Sequence, residues 1–177
     1  MEEARFNECM RRMRSGDKTA LHEIYEAYIG YIYPIILHQL RNPQDAEDVT
    51  SEFFIKLWKL ADTYKEGNGH KAWLAAIARN MAIDLLRKNR REVLTEDFTD
   101  TISEASARDN TEEQVLADMS LKEALQKLKP EEREIVHLKI MGEITFREIA
   151  DILKLPMGTV TWRYQSAIKK LRRCGYE

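Results

Sequence analysis

The stretch that decides the fold runs from Thr145 to Arg173 and reads TFREIADILKLPMGTVTWRYQSAIKKLRR. Thr145 and Glu148 have the spacing of a capping box ahead of an apolar pattern, which predicts the start of a short helix. The Leu-Pro-Met-Gly segment predicts a tight turn at about residues 154–157, and a second helix is expected from about Gly158. The stretch is therefore predicted to be a helical hairpin.

The second helix of this hairpin separates its apolar side chains from its polar ones at about 100° per residue. Six basic residues and no acidic residue lie between Lys154 and Arg173. A helix-turn-helix places such a helix in the major groove of DNA, whereas an αα-hairpin with a solvated basic face would show the same pattern. The apolar side consists of Val160, Tyr164, Ala167, Ile168 and Leu171, and the opposite side of Trp162, Gln165, Ser166, Lys169 and Arg173.

The composition of the whole chain limits its class. It has 177 residues, 44% hydrophobic and 33% charged, which is typical of a folded protein, and its 7 Gly and 4 Pro favour helices over a many-turned β structure. No apolar run approaches the roughly 20 residues that cross a bilayer, and the N-terminus lacks the apolar segment of a signal peptide. We therefore expect a cytoplasmic protein with no membrane insertion.

Metal, cofactor and enzyme sites are not indicated by the sequence. The two cysteines, Cys9 and Cys174, are far apart, and the four histidines have no ligand spacing, so we expect no disulfide framework and no metal. We find no Gly-rich phosphate loop and no nucleophile paired with a base, so no cofactor is predicted and an enzyme is the least favoured class.

Charge is unevenly distributed along a chain whose net charge is -2. The segment from Glu92 to Glu113 holds eight acidic residues and one basic residue, with little apolar periodicity. It is predicted to be a linker, although a surface loop within one domain is the alternative. We therefore predict an all-α chain of two small helical domains, residues 1–92 and 113–177, joined by an acidic linker over residues 93–112, with the helix-turn-helix in the second domain.

The first domain is predicted to contain about four helices. A break is expected at Ser15-Gly16, with Asp17 capping the next helix, which Pro34 could kink. Asn42-Pro43 predicts a helix start, and this helix is expected to run to about Leu60. Asp45, Asp48 and Glu52 line one side of it. They form either a docking face for a basic partner helix or a solvated face favoured by the helix dipole.

The last helix of the first domain has the side chains that single-stranded nucleic acid requires. HKAWLAAIARNMAIDLLRKNRR aligns Trp73, Asn80, Asp84 and Arg87 on one face, with Lys88 at its edge. An aromatic ring can stack on a nucleobase, and an amide can hydrogen-bond to it. Basic side chains such as arginine can contact phosphates. Trp73 could equally be a core residue. The buried stripe is expected to be Leu74, Ile77, Ala78, Met81 and Leu85.

Three segments together resemble the extracytoplasmic-function (ECF) sigma factors of bacterial RNA polymerase, over nearly the whole chain. DAEDVTSEFFIKLWK is similar to their core-polymerase-binding segment, and AWLAAIARNMAIDLLRKNRR to their promoter-melting and minus-ten-reading segment. The stretch from Leu128 to Arg173 resembles their second domain, which reads the minus-thirty-five element. Three segments in the family's order are far more specific than one.

The resemblance implies a role for each matching position. The clamp of core polymerase would meet an acidic surface, and bases flipped from the non-template strand would be held by Asn80 with the loop from Lys65 to Lys71. The implied polymerase-binding residues are Asp45, Asp48, Glu52, Phe53 and Trp58, with Leu125, Leu128 and Ile135 where the second domain packs and touches the flap. The implied DNA-binding residues are Trp73, Asn80, Arg87, Lys88, Arg90 and Arg91 at the minus-ten element, and Thr161, Trp162, Arg163, Gln165, Ser166, Lys169 and Arg173 at the minus-thirty-five element.

Three positions depart from the family pattern. Ser51 stands where the family often has Gln, His70-Lys71 where an aromatic residue usually precedes Trp-Leu, and Trp162 where the recognition helix usually has a small polar residue. Trp162 is therefore expected to contact a thymine methyl or the sugar-phosphate wall.

Two functional hypotheses remain from the sequence. A sigma factor would bind core RNA polymerase and promoter DNA, and the resemblance allows for an inhibitory anti-sigma partner. A free-standing helix-turn-helix regulator would instead bind a palindromic duplex site without polymerase.

Overall fold

A computed structural model describes residues 1–67, 69–93 and 124–173, with the side chains of residues 91–93 left aside. The chain divides into two compact units, one within residues 1–103 and one within residues 104–177. The described parts of both units are helical. The predicted acidic linker, residues 93–112, lies almost entirely outside the described residues. Thr111 and Gln114, whose spacing is that of a capping box and predicts a helix start, also lie outside them.

Within residues 1–67 and 69–93, the first unit contains four α-helices: α1 (Glu3–Arg14), α2 (Lys18–Leu40), α3 (Pro43–Leu60) and α4 (His70–Val93). A short 3₁₀ helix, Ala61–Thr63, follows α3.

The predicted helix boundaries in the first unit are confirmed. Gly16 has a φ of 89°, a conformation in which a side chain would be strained, and it ends α1 where the break was expected. The Asp17 carboxylate accepts a hydrogen bond from the Thr19 amide at 2.9 Å and caps α2. The Asn42 side chain accepts one from the Gln44 amide at 2.9 Å and caps α3. Pro34 lies inside α2, and the helix continues past it to Leu40.

The core of the first unit forms where α2 packs against α1, α3 and α4. Large apolar side chains fill it completely, and burying each contributes roughly 1.5–3 kcal/mol. Helical spacing would place Tyr25 on the apolar face of α2 with Ile24 and Tyr28. It is nevertheless 39% exposed, and its ring rests on Phe54 with centroids 4.8 Å apart. The fully buried side chains of this core include Phe6, Met10, Ile24, Ile32, Ile36, Phe53, Leu57 and Leu74.

The buried stripe of α4 differs from the one we predicted. Leu74 and Ala78 are buried as expected, but Ala75 and Ala82 complete the stripe. The three other predicted members are only half-buried: Ile77, Met81 and Leu85. Apart from Leu74, the fully buried positions of α4 are therefore alanines and not the larger residues.

The second unit contains α5 (Pro130–Ile140), α6 (Phe146–Leu153) and α7 (Met157–Arg173), and residues 124–126 are also helical. Thr145 and Glu148 form the predicted capping box of α6, and Lys154, with a φ of 56°, ends that helix. α7 packs against both α5 and α6. The core cluster of the second unit consists of Ala124, Leu128, Val136, Ala167 and Leu171, with Leu125, Tyr164 and Ile168 packed against it.

Candidate nucleic-acid and polymerase interface

The acidic residues of α3 form an exposed surface. Asp48 and Glu52, one turn apart, are exposed, and Asp45 is half-buried at the first turn. Ile55, 57% exposed, lies one turn further along the same side. We call Asp45, Asp48, Glu52 and Ile55 the acidic α3 surface. Its carboxylates would attract a basic helix, and its isoleucine would add an apolar contact.

The two aromatic residues predicted near this surface differ in position. Phe53 is 0% exposed and its ring packs edge-on against Phe54, with centroids 5.1 Å apart. It therefore lies beneath the acidic α3 surface and supports it. Trp58 is half-buried. Ser51 is exposed, and its hydroxyl donates to the Glu47 carbonyl at 3.0 Å.

The outer face of α4 carries the amide and the basic residues that the sequence singled out. Asn80 is exposed, and so are the three basic residues near the end of the helix. The guanidinium of Arg87 is 3.6 Å from the carboxylate of Asp84, and both side chains are about 70% exposed. A surface ion pair of this kind is weak, so it leaves Arg87 available to a phosphate. The exposed basic residues are Arg87, Lys88 and Arg90, whereas the side chain of Arg91 lies outside the described residues.

Trp73 is half-buried at the start of α4. It is thus neither a fully buried core residue nor a fully exposed stacking surface, the two alternatives that the sequence left open. Its ring packs against that of Tyr64, with centroids 4.8 Å apart and an interplanar angle of 49°. Part of the side chain remains exposed, so the residue belongs both to the edge of the core and to the surface.

The loop before α4 is attached to α1. Glu66 forms an ion pair with Arg11 at 2.9 Å, and Gly67 and Gly69 have φ values of 85° and 67°. Lys65 is exposed and Lys71 half-buried, while Asn68 lies outside the described residues.

His70 takes the place of the missing aromatic residue by packing as one. It is 6% exposed, stacks on Phe6 with centroids 4.7 Å apart, and shares a 2.5 Å hydrogen bond with the Tyr28 hydroxyl. Burial lowers the pKa of His70, because a charged imidazole would lose its hydration there. Burial also raises the pKa of Tyr28. The departure from the family pattern at His70 is thus accommodated within the core.

The exposed side of α7 is polar, basic and partly aromatic. Trp162 is 66% exposed, and Gln165, Lys169 and Arg173 are exposed on the same side of the helix. Arg163 and Thr161 are half-buried, and the Thr161 hydroxyl donates to the Met157 carbonyl at 2.9 Å. The segregation predicted for this helix is confirmed for its apolar residues, because Val160, Ala167 and Leu171 are buried.

Ser166 is oriented differently from the other candidate base-reading residues. Its hydroxyl donates to the Glu132 carboxylate at 2.9 Å, and the residue is half-buried. Glu132 is 4% exposed and also accepts hydrogen bonds from Lys170 and from the Lys129 amide. Burial alone would raise the pKa of Glu132, but these hydrogen bonds outweigh burial and lower it. The sequence indicates Glu132 only as an acidic residue in the first turn of a helix that begins at Pro130, where the helix dipole favours it. Its contacts with Ser166 and Lys170 were not predicted.

The residues aligned with a flap contact lie inside the second unit. Leu128 and Ile135 are 3% and 0% exposed, and Leu125 is half-buried against the core cluster. The predicted role of these residues in packing the second unit is confirmed. Leu128 and Ile135, however, are too deeply buried to contact a partner protein directly.

Two further features concern what the described part of the chain lacks. Within it, no group of three or more His, Cys, Asp or Glu side chains is arranged to hold a metal ion. No helix among the same residues is long and apolar enough to span a membrane.

Comparison with known families places two matches in the order that the sequence predicted. The Sigma-70 region 2 family matches residues 24–92. The Sigma-70 region 4 family matches residues 124–173. The first match contains α3, α4 and most of α2, and the second contains the helix-turn-helix.

Individual relatives match along most of their length. The ECF RNA polymerase sigma factor SigW of Bacillus subtilis is 28% identical over 174 residues, which cover 93% of this chain and 93% of SigW. The ECF RNA polymerase sigma factor BldN of Streptomyces coelicolor is 26% identical over 97% of this chain and 66% of its own.

Two solved structures share the fold. The sigma factor RpoE of Bartonella quintana, solved with the anti-sigma factor NepR, has a TM-score of 0.65 at 22% identity, over 86% of this chain and 94% of RpoE. CnrH, solved with the cytosolic domain of CnrY, has a TM-score of 0.61 at 20% identity, over 96% of each chain.

Proposed function

Because this chain belongs to the ECF sigma factors of bacterial RNA polymerase, and is thus an alternative sigma factor that directs transcription, we propose how its two units divide that work. The first unit binds the clamp of core polymerase and reads the minus-ten element, and the second reads the minus-thirty-five element. The protein forms no covalent bond itself. It selects the promoter and favours the opened duplex.

The observation that carries this proposal is the polar and basic exposed side of α7. Trp162, Gln165 and Lys169 stand on the side opposite the buried apolar residues, and no acidic residue lies between Lys154 and Arg173. Gln165 can read a base edge in the major groove, and Lys169 and Arg173 can neutralise phosphates. A carboxylate on this side would repel the DNA backbone.

Trp162 is the part of this surface that departs from the family pattern given above for the recognition helix. An indole has no acceptor and only one donor, so it is poorly suited to read a base edge by paired hydrogen bonds. Its large exposed apolar area suits contact with a thymine methyl or with the sugar-phosphate wall. The promoter that the protein selects should therefore differ at the base pair beneath Trp162.

The first unit supports the other half of the proposal. The outer face of α4 offers Asn80 to an unpaired base and Arg87, Lys88 and Arg90 to the phosphates of that strand. Its place in the sequence, directly after Arg90, assigns Arg91 the same role. Unstacking a base costs a few kcal/mol, and capture of that base with release of counterions offsets the cost. The acidic α3 surface is the docking face for the clamp.

Transcription by reconstituted holoenzyme tests the proposal. Core polymerase with this protein is given fragmented genomic DNA, and the transcript starts are mapped. We expect starts that share two upstream elements. The absence of any promoter-directed transcript would overturn the proposal.

Gel shift with the protein alone separates the rival hypothesis. A free-standing regulator would bind a palindromic duplex tightly without polymerase. The sigma factor proposal predicts weak binding until core polymerase is added, because polymerase sets the spacing of the two units.

An anti-sigma protein is a proposed inhibitory partner. RpoE of Bartonella quintana was solved with such a protein. Inhibition of the reconstituted transcription by an added partner would support this role here.

A further inference from the structure

Tyr64 is held by α1 through both its side chain and its backbone. Its hydroxyl donates to the Asn7 side chain at 2.9 Å, and its backbone carbonyl accepts from the Arg14 guanidinium at 2.7 Å. Arg14 also donates to the Ala61 carbonyl at 2.8 Å, so one guanidinium joins the first residue of the 3₁₀ helix to the residue that follows it. Tyr64 itself is only 4% exposed. Such a residue has little freedom to move.

The ring of Tyr64 lies between the core and Trp73. Phe6 packs edge-on against it, with centroids 5.3 Å apart, and Trp73 packs on it with centroids 4.8 Å apart. Trp73 is the half-exposed member of this cluster. A contiguous set of contacts therefore leads from α1 through Tyr64 to the aromatic residue that begins the nucleic-acid face of α4.

We propose that Tyr64 is a positioning residue for recognition of unpaired bases. Fixed by Asn7 and Arg14, it sets the orientation of the Trp73 indole on which a base of the minus-ten element stacks. The inference rests on the proposed function and adds α1 to the promoter-reading apparatus. Stacking needs a ring held at a defined angle, because a freely rotating indole would lose entropy each time a base bound.

The position of Tyr64 also explains how Asn7 and Arg14 could affect the binding of a base at Trp73. Asn7 and Arg14 do not need to touch DNA. Loss of either would loosen Tyr64, and Trp73 would then occupy several orientations. Matched bases would lose more affinity than mismatched ones, because only matched bases use the correct geometry.

Holoenzyme binding to fork-junction DNA tests the inference. The probe carries the non-template strand of a promoter mapped for this protein, either with its own minus-ten bases or with those bases replaced. The measured quantity is the dissociation constant of the probe with replaced bases divided by that of the probe with its own minus-ten bases. A purely structural role would lower the active fraction for both probes and would leave this ratio unchanged.

Three variants and one control complete the test. Asn7→Ala and Tyr64→Phe each remove one hydrogen bond, and we expect each to lower the ratio about 3- to 10-fold. Tyr64→Leu removes the ring and should lower it further. Arg5→Ala is the control, because Arg5 lies on the same helix but pairs with Glu23 of α2, and it should keep the wild-type ratio.

The possible outcomes are distinguishable. Wild-type ratios in both Asn7→Ala and Tyr64→Phe would overturn the inference, even if Tyr64→Leu failed to fold. A wild-type holoenzyme that does not distinguish the two probes would overturn the proposed minus-ten reading as well. If the wild type distinguishes the two probes and the variants keep the wild-type ratio, only the role of Tyr64 is excluded and the proposed minus-ten reading stands.

Discussion

Lys170 donates to both carboxylate oxygens of Glu132, at 2.8 and 2.7 Å, and this ion pair ties α7 to the first turn of α5. The Glu132 side chain is 6% exposed and that of Lys170 is 39% exposed. A buried carboxylate that loses its partners is costly, whereas a pair at the edge of a domain is partly hydrated. Removal of one partner would therefore leave the other group without its compensating charge, at a cost to the stability of the second unit.

The first prediction concerns this pair. Glu132→Gln should lower the free energy of unfolding of the second unit by about 2 kcal/mol, since it removes a charge-assisted hydrogen bond and leaves Lys170 without its partner. Denaturant unfolding of the full chain measures the change. Glu131→Gln is the control, because Glu131 is exposed on the same turn. Equal stability of the two variants would contradict the prediction.

The second prediction separates two neighbours on α7. Gln165→Ala should weaken binding of holoenzyme to its minus-thirty-five element about 10-fold, because an exposed amide would lose its contact with a base. Ser166→Ala should change affinity less than 3-fold, because the Ser166 hydroxyl already binds Glu132. Titration of labelled promoter DNA gives both values. A larger loss at Ser166 would mean that its side chain turns toward DNA on binding.

The third prediction concerns specificity at Trp162. Trp162→Ser should relax selection at one base pair of the minus-thirty-five element by about 10-fold, with smaller effects at other positions. Selection from a randomised promoter library, compared with the wild type, measures it. Since Trp162 is 66% exposed, its replacement should not change the melting temperature. A uniform loss of affinity at all positions would instead indicate a backbone contact.

The fourth prediction tests the acidic α3 surface. Asp48→Lys or Glu52→Lys should weaken binding to core polymerase by about 10-fold or more, because like charges would then face the basic partner helix. Glu26→Lys, an exposed charge reversal on α2, is the control and should bind normally. Fluorescence titration of labelled protein with core polymerase gives the constants. Equal losses in all three variants would mean that only net charge matters.

The fifth prediction is a pH dependence of the first unit. Burial lowers the pKa of His70 below its unfolded value of about 6.5. The stabilising effect of neutral His70 is therefore fully present above that value and is lost as the pH falls from about 6.5 toward the folded pKa. Thermal melts between pH 8 and about pH 5 should show the decline, and His70→Phe should flatten it. An equal slope in that variant would assign the effect to another group.

The helix boundaries could be predicted because their signals are local. Asp17, Asn42 and Thr145 each cap the helix that follows them, and the hydrogen bond that each accepts depends only on its near neighbours. The polar side of α7 could also be predicted, because its periodicity is regular. These features need no knowledge of distant contacts.

Other features depend on contacts between residues far apart in the chain. The buried stripe of α4 lies largely at alanines, which depends on how α4 packs against α2 and α3, and no pattern within α4 reveals that packing. His70 looks like a gap in an aromatic motif until Phe6 and Tyr28 are seen around it. The sequence alone likewise could not show that Glu132 engages Ser166, which lies 34 positions away.

The alanine seam of α4 has a consequence for how such proteins diversify. Ala75, Ala78 and Ala82 are all 0% exposed, so a larger side chain at any of them would strain the packing by about 1–3 kcal/mol. Asn80, on the exposed side of the same helix, faces no such penalty. If α4 reads the promoter as proposed, mutations that change the bases it selects can accumulate on its exposed side while its buried side stays fixed. A change of target promoter would then cost the fold little.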